Sequence, residues 1–388
     1  MQILVQKFGG TSVGSTSKIM NAASKVVQSL VEGYKPIVVV SAMAGVTNQL
    51  ISYCSEMSKL HWADNLVEYD AVISNGENIS AALMSLALQT LGIKSRSFQG
   101  WQIPINTNSN FSKSLIQDIN PALLIESLEK DIIPVITGFQ GISPSGQITT
   151  LGRGGSDITA VAIAASTKAC HCDIYTDVAG VYSADPRFVP DAQKLETMSY
   201  EEMLEFSILG AKVLHWRAVE IAMKYKVSTR VLSTFENSHG TLIYSKTNNM
   251  EKVQITGIAY NDKIILIKTK AVAKIKNIIT EFANKNIAIN NISLGLENCT
   301  LIVSLIDLPI IKNIFSSLQL DYEYNRDVAL ISVVGIGINN DVNILYKITD
   351  IIGDDMLELS LSSTKISFVY PINKIESCIK LLHKALIE

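Results

Sequence analysis

The sequence has no long, uninterrupted apolar run. The longest apolar stretch, VALISVVGIGI from Val328 to Ile338, is broken by serine and glycine and is too short to span a bilayer. The N-terminus also lacks a basic region followed by a long apolar core, which is the pattern of an export signal. These absences predict a cytoplasmic protein that is not embedded in a membrane.

The sequence also lacks an excess of charge of either sign. Its formal net charge is -3 and it contains no run rich in lysine and arginine, so it offers no basic face that could hold nucleic acid. With 388 residues, 47% of them apolar, the chain can bury large cores, which argues against disorder and predicts two or three domains. Chemistry on small molecules is the function class that remains.

Cysteine is scarce, and the pattern does not suggest disulfides or a metal site. The five cysteines are odd in number and scattered, which is consistent with reduced thiols. They are Cys54, Cys170, Cys172, Cys299 and Cys378. The cluster Cys170-His171-Cys172 has no second pair of ligands at matching spacing, so a structural role is favoured and no metal ligand is predicted.

The segment KFGGTSVGS, residues 7–15, follows a short apolar strand and precedes a helical pattern of apolar residues. Gly9 and Gly10 let the backbone turn sharply and approach a ligand, and N–H groups at a helix start attract phosphate. Lys7 would add a mobile positive charge. The lysine precedes the glycines, so this is not a Walker A loop. A tight turn beside a solvated lysine remains an alternative on this motif alone.

A second glycine loop lies in TTLGRGGSD, residues 149–157. Arg153 lies between glycines and offers a planar fork for a carboxylate or phosphate. Asp157 lies where the next helix starts, and the alternative is that it only caps that helix. Two loops that attract anions, both at strand ends, predict a phosphorylated ligand beside a carboxylated one. The pattern therefore favours phosphoryl transfer.

Two further stretches each allow a structural and a functional interpretation. YTDVAGVYSADPR, residues 175–187, is either a turn-rich loop or a segment that wraps a nucleotide, with Tyr182 against the base or ribose and Arg187 on phosphates. SNGENISAALM, residues 74–84, places Glu77 at a helix start, where the helix dipole alone would favour a carboxylate.

The chain changes character near SKTNNMEK, residues 245–252. Before it, apolar strands alternate with amphipathic helices, which predicts a mostly parallel α/β sheet with helices on both faces and ligands at the strand carboxyl ends. After it, apolar positions recur at offsets of 70 and 64 residues. Each repeat reads as strand, helix, strand, strand, helix. A chance match between apolar helices is the alternative.

These segments, together with VVVSAMAGVTNQL and GAKVLHWRAVEIA, resemble aspartokinases in order and spacing over the whole chain. The resemblance implies a three-layer αβα sandwich of the amino-acid kinase type, followed by two α+β ACT modules of βαββαβ topology. The expected boundaries are 1–248 for the catalytic domain, 249–322 for the first ACT module and 323–388 for the second. In the family the strand near residues 253–259 joins the second module.

The resemblance implies transfer of the ATP γ-phosphoryl group to the β-carboxylate of L-aspartate, with ATP and Mg²⁺ as cofactors. This reaction gives 4-phospho-L-aspartate and ADP, the first step toward lysine or diaminopimelate, threonine and methionine. The implied catalytic residues are Lys7 and Asp157, where Asp157 orients lysines rather than acting as a base. The implied substrate contacts are Ser41, Thr47, Glu77, Arg153 and Gly154. The implied nucleotide contacts are Lys7, Gly9, Gly10, Thr176, Asp177, Tyr182, Arg187 and Lys212.

We expect a homodimer or higher oligomer formed through the tail modules, because small sandwiches with open sheet edges usually pair them. The resemblance implies an amino-acid effector, lysine or threonine, at the ACT modules. Neither module has the proline-glycine pair that often opens the effector-binding helix; they read KTKAVAKIK and GINNDVNIL instead. Two alternatives to an aspartate kinase remain: a catalytically silent amino-acid-sensing subunit, and a kinase for another acidic amino acid.

Overall fold

The computed structural model describes residues 1–58, 63–211, 213–245, 254–285 and 287–388. These residues form two compact units. The first comprises the described residues within 1–181, 194–208 and 212–249, and the second those within 182–193, 209–211 and 250–388.

The first unit contains two sheets and their covering helices. Its strands are β1 (Ile3–Phe8), β2 (Lys35–Val40), β3 (Ser95–Phe98), β4 (Ile105–Thr107), β5 (Ile116–Ile119), β6 (Ile133–Thr137), β7 (Gln140–Ile142), β8 (Ile148–Thr150), β9 (His171–Thr176), β10 (Thr197–Ser199), β11 (Thr229–Ser233) and β12 (Thr241–Tyr244). Its helices are α1 (Thr16–Val31), α2 (Val46–Met57), α3 (Ala63–Ile73), α4 (Asn75–Thr90), α5 (Ala122–Glu129), α6 (Gly155–Thr167), α7 (Tyr200–Ile208) and α8 (Trp216–Tyr225).

The main sheet has eight strands in the order β10-β12-β11-β9-β1-β2-β6-β3, all paired in parallel except β11 with β12. Strands β1 and β6 are buried along their whole length, as expected for parallel strands covered on both faces. Helix α1 contacts α4, and α6 contacts α8 as well as β1. The predicted parallel α/β sheet is therefore present. A smaller sheet, β5-β4-β7-β8, adjoins it.

The second unit contains two four-stranded sheets, in the orders β15-β16-β14-β17 and β13-β18-β20-β19. Its strands are β13 (Gln254–Asn261), β14 (Ile264–Thr269), β15 (Ile289–Leu294), β16 (Cys299–Ser304), β17 (Glu323–Asn325), β18 (Val328–Ile336), β19 (Glu358–Leu361) and β20 (Lys365–Pro371). Its helices are α9 (Ile275–Asn284), α10 (Leu308–Ser317), α11 (Val342–Ile352) and α12 (Ile375–Leu386). The repeat predicted from apolar offsets corresponds to β14-α9-β15-β16-α10 and β18-α11-β19-β20-α12.

Two strands belong to a different sheet from the one that the linear module boundaries assign to them. Strand β13 follows the boundary at 248/249 but pairs with β18, so it completes the second sheet. Strand β17 begins at Glu323, where the second module was expected to start, but pairs with β14 in the first sheet. Each sheet thus has one outer strand that the linear boundaries assign to the other module. This strand is β13 in the second sheet and β17 in the first.

Each sheet of the second unit has its own apolar core. Ile278, Phe282 and Phe315 from helices α9 and α10 pack on one sheet, and Ile348, Ile379 and Leu382 from α11 and α12 on the other. No helix among the described residues is long and apolar enough to cross a membrane.

Candidate active site

The carboxyl ends of four neighbouring strands form one edge of the main sheet. Phe8 at the end of β1 pairs in register with Val40 of β2 and with Tyr175 of β9, and Val40 pairs with Thr137 of β6. The residues that follow these strands therefore lie along one edge. They include Gly9, Gly10, Ser41 and Asp177, which the sequence places in the substrate and nucleotide sites.

Lys7 and Asp157 meet at this edge. The Lys7 Nζ lies 2.6 Å from Asp157 Oδ1, and the two side chains are only 11% and 12% exposed. The contact lacks the angles of a directed hydrogen bond, so it is an ion pair. Because Lys7 is buried and paired, the alternative of a solvated lysine is wrong. An ammonium carries three N–H donors, so Lys7 can contact Asp157 and anionic ligands together.

Asp157 does not cap helix α6, which corrects the structural alternative. The helix begins at Gly155, its N-cap is Gly154, and that cap has no side-chain hydrogen bond. Asp157 lies in the first turn, where its Oδ2 accepts a hydrogen bond of 3.3 Å from the backbone N–H of His215. The carboxylate of Asp157 thus contacts Lys7 on one side and the start of α8 on the other. This is the arrangement expected of a residue that orients the lysine.

Gly154 has no acceptable replacement by a residue with a side chain. Its φ is +69°, in the left-handed region, and an added Cβ would lie 2.2 Å from Cγ of His215. His215 also caps α8, with its Nδ1 accepting from the N–H of Arg217. The loop before α6 can therefore pass directly under the His215 ring.

Glu77 lies in the first turn of α4 and is 4% exposed. Its Oε1 accepts a hydrogen bond of 3.0 Å from the N–H of Ala42, and its Oε2 is buried with no hydrogen-bond partner among the described residues. Burial raises the pKa of Glu77 to about 7. Gly76 allows this contact, because an added Cβ would lie 2.7 Å from Cβ of Ala42.

Other predicted substrate contacts lie on the segments around these groups. Ser41 follows β2 directly, one residue before the amide that binds Glu77, and Thr47 lies in the first turn of α2; both are partly buried. Arg153 is exposed, and no hydrogen bond or ion pair joins its side chain to the part of the chain that the structure describes. Its fork is thus free for a ligand.

The predicted nucleotide contacts divide between the two units. Thr176 and Asp177 lie at the carboxyl end of β9 in the first unit, and the Thr176 hydroxyl donates to Asp177 at 3.1 Å. Tyr182 and Arg187 belong to the second unit, where Arg187 forms an ion pair of 2.6 Å with Asp185. Lys212 lies outside the described residues.

Sequence reasoning missed three side chains near this site. His215 and Arg217 stand within the quoted motif GAKVLHWRAVEIA, but no role was assigned to either. Asp70 has no local sequence signal. It is a buried carboxylate on α3 that binds the backbone just before Gly152.

A parallel sheet with glycine loops at its carboxyl edge suits a phosphate-binding enzyme, and the match to a family model makes the chain an amino acid kinase. The model of the amino acid kinase family matches residues 2–233. The aspartokinase of Rickettsia felis is 42% identical over 383 residues, covering 95% of each chain. The chain therefore belongs to the aspartokinases, as the sequence motifs predicted.

Solved structures agree on the fold. Escherichia coli aspartokinase III in complex with aspartate and ADP, in its R-state, matches with a TM-score of 0.85 at 23% identity, over 100% of both chains. The same enzyme in complex with lysine and aspartate, in its T-state, matches with a TM-score of 0.80 at 23% identity, again over 100% of both chains. The fold class predicted from the sequence is confirmed.

Proposed function

We propose that this chain transfers the γ-phosphoryl group of ATP to the β-carboxylate of L-aspartate, giving 4-phospho-L-aspartate and ADP. The buried Lys7–Asp157 ion pair at the sheet edge carries the proposal. Its membership of the aspartokinases supports the same reaction and favours an enzyme over a silent regulatory subunit.

The step needs charge neutralisation more than acid–base chemistry. A carboxylate oxygen of aspartate forms a bond to the γ-phosphorus while the bond from that phosphorus to the β,γ-bridging oxygen breaks, and ADP leaves with the electron pair. The attacking carboxylate is already ionised near pH 7, so no proton is removed. Lys7 offsets the negative charge where the two anions meet, and Asp157 fixes its direction.

Glu77 and Arg153 suit the two other charged groups of aspartate. The unpartnered Oε2 of Glu77 would accept from the substrate ammonium, and the free fork of Arg153 would hold the α-carboxylate. Ser41 and Thr47 would donate hydrogen bonds to the same substrate, beside the Gly154 loop.

The nucleotide would lie over Gly9 and Gly10, beside Thr176 and Asp177. Tyr182, Arg187 and Lys212 stay sequence predictions for this site. The exposed carboxylate of Asp177 and the Thr176 hydroxyl are hard oxygen donors of the kind that Mg²⁺ prefers. When bound, Mg²⁺ would neutralise phosphate charge, held mainly by phosphate oxygens and water.

We further propose an amino-acid effector, lysine or threonine, at the ACT modules. Crystals of Escherichia coli aspartokinase III contain lysine. In this chain the Asp341 side chain already occupies the start of α11, where it accepts from the N–H of Asn343. Helix α9 begins without a side-chain cap, so we expect an effector carboxylate at the first module. Inhibition assays with each amino acid test this.

Two expectations concern assembly and location. Among the strands that the structure describes, β15 and β19 each form the outer edge of a sheet, so on one side of each no other described strand pairs with the backbone groups. We propose a homodimer or higher oligomer through these modules; a monomer in light scattering at micromolar concentration would contradict it. We place the reaction in the cytoplasm, where ATP is available, as the first step toward lysine or diaminopimelate, threonine and methionine.

Trapping of the acyl phosphate tests the reaction and the substrate together. Purified protein with ATP and Mg²⁺ is offered aspartate, glutamate and N-acetylglutamate in turn, with hydroxylamine present to convert an acyl phosphate to a hydroxamate. We expect hydroxamate with aspartate alone. Product with another acidic amino acid would reassign the substrate, and no product from folded protein would favour the silent sensor.

A further inference from the structure

The loop that carries Arg153 rests on two paired backbone segments. Residues 112–114 lie against the end of β8, and the N–H of Ser114 donates to the carbonyl of Thr150 at 2.9 Å. Arg153 follows three residues after Thr150, between two glycines with positive φ. Because Arg153 has no partner of its own in the described part of the chain, its position depends on what holds these segments.

A buried carboxylate holds the N–H groups of both segments. Asp70 of α3 is fully buried. Its Oδ2 accepts from the N–H of Ser112 at 2.9 Å and from the N–H of Thr150 at 2.7 Å. Its Oδ1 accepts from the Thr150 hydroxyl at 2.7 Å. Burial raises the pKa of Asp70, and these three hydrogen bonds oppose the rise.

A guanidinium holds the carbonyl groups of the same two segments. Arg217, near the start of α8, donates through Nη2 to the carbonyl of Ser114 at 2.8 Å and through Nη1 to the carbonyl of Leu151. The same helix start holds the far end of the loop, where the N–H of His215 donates to Asp157. Helix α8 thus fixes the loop on both sides of Arg153.

We propose that Asp70 and Arg217 are positioning residues that set the place of Arg153 and thereby the enzyme's affinity for the α-carboxylate of its amino-acid substrate. Neither residue is assigned any contact with substrate or nucleotide. This inference rests on the proposed function, in which Arg153 binds that carboxylate. It predicts that substitutions that remove the hydrogen bonds of either residue weaken recognition of the α-carboxylate specifically, and leave ATP binding unchanged.

The variants separate geometry from charge. Arg217→Lys keeps the positive charge but cannot donate to both carbonyls, because a single ammonium lacks the span of the fork. Asp70→Ala removes all three hydrogen bonds. Asp70→Asn can keep them, because one amide oxygen replaces Oδ2 and the amide nitrogen can donate to the Thr150 hydroxyl.

Arg230 offers a matched control. It is a partly buried arginine of β11 that binds Asp173 of β9 through two hydrogen bonds, of 2.7 and 2.8 Å, and does not contact the Arg153 loop segments. Arg230→Lys should lower the melting temperature without changing substrate recognition. It shows what loss of stability alone does to the kinetics.

The readout is the ratio of kcat/KM for aspartate to that for its α-amide, isoasparagine, in which a neutral amide replaces the α-carboxylate. Loss of a charge-assisted hydrogen bond predicts a ratio about tenfold lower in Arg217→Lys and Asp70→Ala, with KM for ATP unchanged. Asp70→Asn and Arg230→Lys should keep the wild-type ratio.

Two outcomes would overturn the inference. One is a wild-type ratio in both Arg217→Lys and Asp70→Ala, and the other is a ratio that falls equally in Arg230→Lys. Melting curves establish that each variant is folded. If Arg217→Lys does not fold, the comparison of Asp70→Ala with Asp70→Asn tests the inference by itself. A wild-type enzyme that does not phosphorylate aspartate would instead refute the proposed function, so the two failures are distinguishable.

Discussion

If Glu77 binds the substrate ammonium as proposed, we expect the binding of the amino-acid substrate to depend on pH. Its Oε1 is satisfied by Ala42, but its buried Oε2 has no hydrogen-bond partner among the described residues, and burial raises its pKa to about 7. The ionised carboxylate attracts the substrate ammonium with a full negative charge, which the protonated carboxyl lacks. In the free enzyme about one tenth of Glu77 is ionised one pH unit below its pKa. We therefore expect kcat/KM for aspartate to fall about tenfold per pH unit below 7 and to level off near pH 8.

The assay is ADP release between about pH 5.5 and 8.5, with ATP and Mg²⁺ saturating and aspartate varied. The same pH profile is then measured with aspartate saturating and ATP varied. This second profile reports titration of ATP itself, which affects both profiles. Glu77→Gln should have a low kcat/KM for aspartate and no inflection near pH 7. A profile for aspartate that parallels the ATP profile, or an inflection that persists in Glu77→Gln, would refute the reasoning.

The same carboxyl also affects stability, with a definite sign. Its pKa is higher in the folded chain than the ordinary 4.5, so the folded state binds more protons between pH 4.5 and about 7. Stability therefore falls as pH rises through this window, by about 3 kcal/mol in total for the shift from 4.5 to about 7. Glu77→Gln should be more stable than the wild type at pH 8 by up to this amount and similar to it at pH 4. Denaturant unfolding at both values measures the difference; equal stability at pH 8 would contradict it.

Two further substitutions test the glycine loop before α6. Arg153→Lys should raise KM for aspartate about tenfold with KM for ATP unchanged, because one ammonium replaces a two-pronged fork; an unchanged KM for aspartate would remove Arg153 from the substrate site. Gly154→Ala should lower both the melting temperature and kcat, because the added Cβ would lie 2.2 Å from the His215 ring at a φ of +69°. A wild-type melting temperature and rate in that variant would show that the loop does not pass under His215 as described.

Local patterns predicted much of the fold. The strand, glycine loop and helix at residues 3–31 could be read directly, because apolar periodicity and glycine positions depend only on neighbouring residues. The same holds for α6, although it begins at Gly155 rather than at Asp157. The apolar offsets found the two repeated modules of the tail, since each repeat keeps the same helix-facing positions.

Pairings between distant residues could not be read from such patterns. Strand β13 pairs with β18, more than 60 residues later, and no property of its own sequence selects that partner; the expectation that this strand joins the second module came only from the resemblance to aspartokinases. Residues 182–193 join the second unit through apolar contacts of Ala184 and Val189, although both flanking segments belong to the first. Asp70 was missed for the same reason, because its partners Ser112 and Thr150 are remote in sequence.

The same distinction between local patterns and distant contacts applies to the site residues. The motifs indicated Lys7, Glu77 and Asp157 as chemically important, but only the fold shows that Lys7 meets Asp157 across 150 positions. The positions of Arg153 and Gly154 depend on His215, which caps α8, and on Arg217 in the first turn of that helix. A motif therefore identified which residues carry charge, and the tertiary structure determines where each charge lies.

The catalytic rate of Lys7→Ala tests the central claim most directly. Lys35, which pairs with Asp131 at the opposite end of the same sheet, supplies the matched lysine control. If Lys7 neutralises charge between the carboxylate and the γ-phosphate, hydroxamate formation with aspartate should fall by about two or more orders of magnitude in folded Lys7→Ala and stay near the wild-type rate in Lys35→Ala. A near-normal rate in Lys7→Ala would contradict the account.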